Sequence, residues 1–216
     1  MLFFVTMRHR LLRVSTGLTA AGLLIGPAPA HAQLSLALRG GASFSSILVR
    51  DEINQEITLA PNPAPALSLA VASRLNAQWQ VGASVEWSSS DLVRREAGQE
   101  FAILPLTIWT ATFGLRRTLT SWAAIGGSFG GIKYAPGGDR DGTIFQDDAP
   151  FLPTAGLSAQ VEKALGRRWG VGLELAYGFH RFTSQALRDA GLTGHRSVHR
   201  FTVGVVLRGN LTNATN

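Results

Sequence analysis

Seven segments of this chain alternate, residue by residue, between large apolar side chains and small or polar ones, and a glycine-rich eighth lies among them. A period of two is the period of a β-strand, whose successive side chains point to opposite faces. No feature constrains the fold more: the segments are predicted to be strands with one apolar and one polar face. The first sets Leu34, Leu36 and Leu38 against Ser35, Ala37 and Arg39, and the second Leu67, Leu69 and Val71 against Ser68, Ala70 and Ala72. The third sets Trp79, Val81, Ala83, Val85 and Trp87 against Gln80, Gly82, Ser84 and Glu86. In the fourth, Trp109, Ala111, Phe113 and Leu115 oppose Thr110, Thr112, Gly114 and Arg116. The fifth, Trp122 to about Tyr134, is rich in glycine and its facing is open. The sixth sets Ala155, Leu157, Ala159 and Val161 against Thr154, Gly156, Ser158, Gln160 and Glu162. The seventh is the most regular, with Trp169, Val171, Leu173, Leu175, Tyr177 and Phe179 against Gly170, Gly172, Glu174, Ala176, Gly178 and His180. The eighth sets Phe201, Val203, Val205 and Leu207 against Arg200, Thr202, Gly204 and Arg208.

The connections between these segments also repeat. Three short polar turns end in tryptophan: Asn76-Ala77-Gln78-Trp79, Thr120-Ser121-Trp122 and Gly166-Arg167-Arg168-Trp169, each preceded by a leucine (Leu75, Leu119, Leu165). The tryptophans are 43 and 47 residues apart, the length of two strands plus one long loop. Four polar loops are expected at about 45–63, 88–100, 135–150 and 181–196. Long loops alternating with tight turns predict hairpins laid side by side, with the long loops all at one end.

Composition narrows the choice. Charged residues are only 16% of the chain, against about a quarter in soluble domains, and 24 glycines favour strands and turns over helices. There is no cysteine, which removes disulfides and thiolate metal sites. The formal charge of +6 falls to +3 after residue 32, with 17 basic against 14 acidic residues, and the basic ones are scattered. That pattern argues against nucleic-acid binding, which needs a basic stripe.

The first 32 residues read as a secretory signal peptide. A basic stretch with Arg8, Arg10 and Arg13 precedes the apolar run Gly17–Ile25, and Ala30-His31-Ala32 forms a cleavage site before Gln33. The apolar run is too short for a spanning helix, which needs about 20 residues, and Pro27 and Pro29 interrupt it. Any membrane crossing is therefore expected to be made by strands.

Alternation fits both a soluble barrel, apolar inside, and a membrane barrel, apolar outside. Three features favour the second: a polar face of glycine, alanine and serine suited to a narrow lumen, tryptophans at strand ends, and few lysines on the strands. The predicted fold is all-β, an up-and-down antiparallel transmembrane β-barrel of about eight strands over residues 33–208, with a polar tail at 209–216. On its turn–tryptophan hairpins, Ser73-Arg74-Leu75-Asn76-Ala77-Gln78-Trp79 and Gly166-Arg167-Arg168-Trp169-Gly170-Val171-Gly172, the chain resembles the porin-like outer-membrane β-barrels of the OmpA-transmembrane-domain and OmpW kind. The resemblance covers about residues 33–208. It implies a bacterial outer-membrane location, contact with outer-membrane lipids and lipopolysaccharide, and insertion by the barrel assembly machinery. Such barrels commonly end on an aromatic residue; this chain continues past Leu207 into the polar run Arg208–Asn216.

Candidate functional residues follow from facing. Arg39, Glu86, Glu162, Glu174, His180 and Arg200 lie on polar faces and are expected to form a lumen charge network, because charges in a narrow interior must be paired. Arg39 and Arg200, on the first and last strands, are expected to be neighbours and to draw in Glu86 or Glu174. Trp79, Trp122 and Trp169 are expected in one aromatic girdle, with Trp87 and Tyr177 approaching the other. A serine is expected to be tolerated at lumen-facing Gly172, and an arginine not at lipid-facing Leu173.

Other groupings are weak. Asp139, Asp141, Gly142, Asp147 and Asp148 have part of a calcium-loop spacing, but Gly137 stands at the first ligand position and a solvated loop is expected. His195 and His199 are four apart, a spacing that suits a helix, and no metal or cofactor is expected. His180 with Ser184 has the residue types of outer-membrane lipid A deacylases without their spacing. The sequons at Asn210 and Asn213 carry no weight in a bacterial barrel. The expected function is non-enzymatic: a largely plugged barrel with four surface loops, contributing to envelope integrity or surface interaction. The alternatives are a conduit for small solutes and a lipid A-modifying enzyme.

Overall fold

The computed structural model describes residues 33–50, 57–147, 149–190 and 196–211. The segment expected to be a signal peptide, as well as Asp148, His195 and Asn213, lies outside them. In chain order the elements are β1 (Leu34–Ser45), β2 (Val49–Arg50), β3 (Thr58–Pro61), β4 (Ala64–Arg74), β5 (Trp79–Glu96), β6 (Gln99–Thr118), β7 (Ala123–Pro136), β8 (Phe151–Leu165), β9 (Trp169–Phe182), α1 (Gln185–Asp189) and β10 (Arg196–Asn210).

Eight strands form a closed ring in which every neighbour is antiparallel. β1 pairs with both β4 and β10, so the first and last strands seal the barrel, with Arg39 opposite Val206 on one side and Ser68 on the other. The rest of the ring runs β10, β9, β8, β7, β6, β5 and back to β4. Closure gives every strand two partners within the ring, while above it residues 99–104 of β6 pair with β5 alone.

Three tight turns lie at one end. In the first, the Asn76 side-chain oxygen accepts the amides of Gln78 and Trp79 at 2.9 and 3.0 Å. Thr120 accepts the Ala123 amide at 3.0 Å in the second. Side-chain acceptors at these positions are what make Asn and Thr turn formers. The third places Gly166 at φ 81°, a left-handed conformation suited to glycine.

At the other end the structure departs from the expected loops. Residues 88–100 were expected to be a polar loop. Instead β5 and β6 continue upward as one long hairpin, with Glu96 opposite Gln99 and a two-residue turn at Ala97 and Gly98, φ 48° and 78°. Two positive φ values are the geometry of a hairpin turn usually marked by Asn-Gly; alanine in the first place hid it. The expected loop at 45–63 contains β2 and β3, of which β3 pairs with the upper part of β5. The expected loop at 181–196 contains α1, capped by Ser184, whose hydroxyl accepts the Leu187 amide.

Side-chain facing divides the barrel. Outward positions are large and exposed: Leu69, Phe113, Leu157, Leu173, Leu175 and Val205 all lie on the outer surface. β7 is now oriented, with Ile125 and Phe129 outside and Gly126, Ser128 and Gly130 inside. Inside, the lower two-thirds is small or polar, as expected. In the upper third the inward positions turn apolar: Leu106 and Ile108, Ile132 and Tyr134, Leu152, Phe182 and Val198 converge there with Leu48, Leu92, Leu104 and Phe145 as one buried cluster. This cluster is the one buried apolar core found among the described residues, and it lies toward the long-loop end. Gly172 does not have the expected room. A Cβ there would meet the Val161 carbonyl oxygen at 2.2 Å, so a serine would force β8 and β9 apart.

Candidate functional site

Below the apolar cap the lumen holds charge. Arg39 lies centrally, with one guanidinium nitrogen on Glu86 and another on Glu174. The strands that deliver them follow from register: Glu86 on β5 is opposite Ser68 on β4, and Ser68 is opposite Arg39 on β1. On the other side Gly204 of β10 separates Arg39 from Glu174. A Cβ at Gly204 would come within 2.9 Å of Arg39 Cγ, so glycine lets the arginine stem cross β10 and reach the carboxylate on β9.

Arg200 completes this cluster one level higher. Its Nη2 lies 3.0 Å from Glu86 Oε1. The remaining donors go to hydroxyls: Nε to Ser43 at 2.7 Å, Nη2 to Ser88 at 2.7 Å and Nη1 to Thr110 at 3.2 Å. Two arginines and two glutamates thus balance in charge, and Glu86, 9% exposed, serves both arginines. Such an arrangement offsets the desolvation of its members because every charge has an opposite partner and added hydrogen bonds.

Glu162 belongs to a separate group nearer the tight-turn end. It faces Arg116 at 3.6 Å and Arg208 at 3.3 Å, neither of which the sequence singled out. The signal was available, because both occupy the inward parity of their strands. His180 joins neither group. It is buried at the junction with the cap, where its Nε2 is 2.7 Å from the Tyr134 hydroxyl. Tyr134 in turn packs on Phe145 and Phe182, with ring centroids 6.0 and 5.1 Å away.

The tryptophans of the tight turns cluster at one end. Trp79 and Trp169 start β5 and β9, while Trp122 lies in the turn before β7. Trp79 is covered by the outward-facing Arg117 guanidinium, 5.6 Å from its ring. Farther up, Trp87 is paired across strands with Trp109, and the Tyr177 hydroxyl is 2.6 Å from His199 Nδ1.

The chemistry-bearing pairs considered from sequence are used otherwise. Ser184 caps α1, and His180 Nε2 is held by the Tyr134 hydroxyl. Asp139 accepts the Asp141 amide within the loop, and no group of three His, Cys, Asp or Glu positioned for a metal exists among the described residues.

A closed antiparallel ring that is apolar outside and polar inside is the arrangement of a barrel solvated by lipid. Among solved structures, Neisserial surface protein A matches over 82% of this chain and 97% of its own, at 7% identity and a TM-score of 0.58. The fold is that of a small bacterial outer-membrane β-barrel. OprG from Pseudomonas aeruginosa matches at 9% identity over 83% of this chain and 98% of its own, with a TM-score of 0.49. Ail, the attachment invasion locus protein of Yersinia pestis, matches at 12% identity over 82% and 99%, with a TM-score of 0.47. No protein-family model matches the sequence, and a search of curated proteins finds no match.

Proposed function

We propose that the protein is a non-enzymatic outer-membrane barrel with a plugged lumen, serving envelope integrity or surface interaction through its long-loop end. The observation that carries this reading is Arg39 held between Glu86 and Glu174 across the lumen, beneath a buried apolar cap. An eight-stranded ring encloses a space about wide enough for side chains to fill. Here ion pairs occupy the middle and aromatic and aliphatic groups the top, so a solute meets two successive obstructions. By the outer-membrane plan the tight turns face the periplasm and the long loops the exterior. The tight-turn tryptophans then form the periplasmic girdle, and Trp87 and Tyr177 approach the lipopolysaccharide leaflet. Export by a signal peptide cleaved before Gln33, and insertion by the barrel assembly machinery, belong to the same reading.

The conduit alternative draws on one observation, a cavity of about 230 Å³ among the small lumen residues. The test is cell fractionation with detergent extraction, followed by gel migration before and after boiling and by a liposome-swelling assay. The proposal expects a heat-modifiable outer-membrane protein that does not admit small sugars. A soluble periplasmic protein, or rapid swelling, would contradict it.

A further inference from the structure

The lower group differs from the upper one in its charge. Arg116 and Arg208 share a single carboxylate, Glu162, so this level carries one positive charge in excess. Arg208 directs Nη1 to Gln80 Oε1 and Nη2 to Gln160 Oε1, both at 3.1 Å. Gln160 also donates to Glu162 Oε2 at 2.9 Å, the same oxygen that faces both arginines. The other carboxylate oxygen lies over Gly170, where a Cβ would be 2.3 Å from it. Glu162 thus lies against the wall at Gly170 and meets its donors through Oε2. Among the described residues, Nε and Nη1 of Arg116 are buried guanidinium nitrogens with no hydrogen-bond acceptor, while Nε of Arg208 has only Glu162 Oε2 at 3.3 Å. A water molecule satisfies a hydrogen bond but leaves the excess charge, and an uncompensated charge in a confined interior is costly.

We propose that the lower lumen is a binding site for a small monovalent anion, a halide or a carboxylate, held mainly by Arg116 with Arg208 behind it. Both arginines line the lower part of the lumen cavity, whose volume of about 230 Å³ extends up to the level of Arg39, Glu86 and Arg200. Arg116 is two residues from the end of β6 and Arg208 two from the end of β10, so the ion enters from the tight-turn mouth without passing the Arg39 cluster. Guanidinium forks suit carboxylates, and a halide is met by converging N–H groups. The site is independent of whether the upper lumen is plugged.

Chloride-35 NMR on the folded mature barrel in a non-ionic detergent tests this, with sodium bromide and sodium acetate as competitors at constant ionic strength. Wild type is expected to show a saturable excess chloride linewidth, one site per chain, displaced by either competitor. Arg116→Gln is expected to weaken binding about tenfold or more, the scale of losing a charge-assisted hydrogen bond and its charge. Glu162→Gln, which releases both arginines from their carboxylate, is expected to tighten it. Arg117→Gln removes a neighbouring charge that faces outward and is expected to change nothing. Unsaturable or absent broadening in wild type overturns the proposal whatever the variants do. Equal losses in Arg116→Gln and Arg117→Gln also overturn it, because they indicate diffuse attraction to the surface.

Discussion

Replacing Glu86 by glutamine is the sharpest perturbation of the lumen. Glu86 is the one carboxylate that touches both arginines of the upper group, through Oε2 to Arg39 and Oε1 to Arg200 at 3.0 Å. Removing one member of a buried ion pair typically costs about 3–5 kcal/mol, largely from the charge left behind. Two features place this case at the lower end. Arg39 keeps Glu174, and Arg200 keeps the hydroxyls of Ser43, Ser88 and Thr110. Glutamine also retains one acceptor oxygen. The expected loss is therefore about 3 kcal/mol of unfolding free energy. Glu174→Gln removes a contact to Arg39 alone and is expected to cost about 2 kcal/mol, the scale of a hydrogen bond to a charged group. Urea unfolding in non-ionic detergent, followed by tryptophan emission and by heat-modifiable migration, measures both. A double-mutant cycle with Arg39→Gln is expected to return a coupling of about 1–3 kcal/mol. Full wild-type stability in Glu86→Gln, with no coupling to Arg39, would mean that the ion pairs are incidental to the fold.

Three further outcomes follow from the same structure. Leu173→Arg, at an exposed outward position near mid-strand, is expected to cost about 2–4 kcal/mol of insertion and to lower the assembled fraction in membrane extracts, while Ala176→Ser, facing the lumen on the same strand, leaves it unchanged. Phe145→Ala, which empties the centre of the cap, is expected to cost about 3–5 kcal/mol and to raise protease cleavage in the 137–147 loop of intact cells; unchanged cleavage would mean the cap does not hold that loop. N-terminal sequencing of the membrane-extracted protein is expected to begin at Gln33, and retention of residues before it would remove the signal-peptide reading.

Much of the ring was legible because one physical constraint, an apolar exterior and a small polar interior, imposes a period of two on every spanning strand. Seven strands could be faced from that period alone. β7 could not, since glycine occupies both faces at Gly126, Gly127, Gly130 and Gly131, and only the pairing with β6 and β8 decides it. The parity rule also delivered Arg39, Glu86, Glu162, Glu174 and Arg200 to the lumen, but not their partition into two groups. That depends on the stagger between neighbouring strands, which alternation does not encode. The upper end was hidden for a different reason. Toward the long-loop end the inside of the barrel becomes a protein core, so Ile108, Ile132 and Phe182 turn inward in segments where apolar had meant outward. His180 was drawn away from the charges by Tyr134, a residue of the strand whose facing the sequence left open.

Planar-bilayer recording of the purified mature barrel tests whether the lumen is closed. Wild type is expected to show at most brief, small openings, and Glu86→Gln to open more often because Arg39 and Arg200 lose the carboxylate that joins them. A large, steady single-channel conductance in wild type, unaltered by Glu86→Gln, would contradict the plugged lumen and leave the conduit reading in its place.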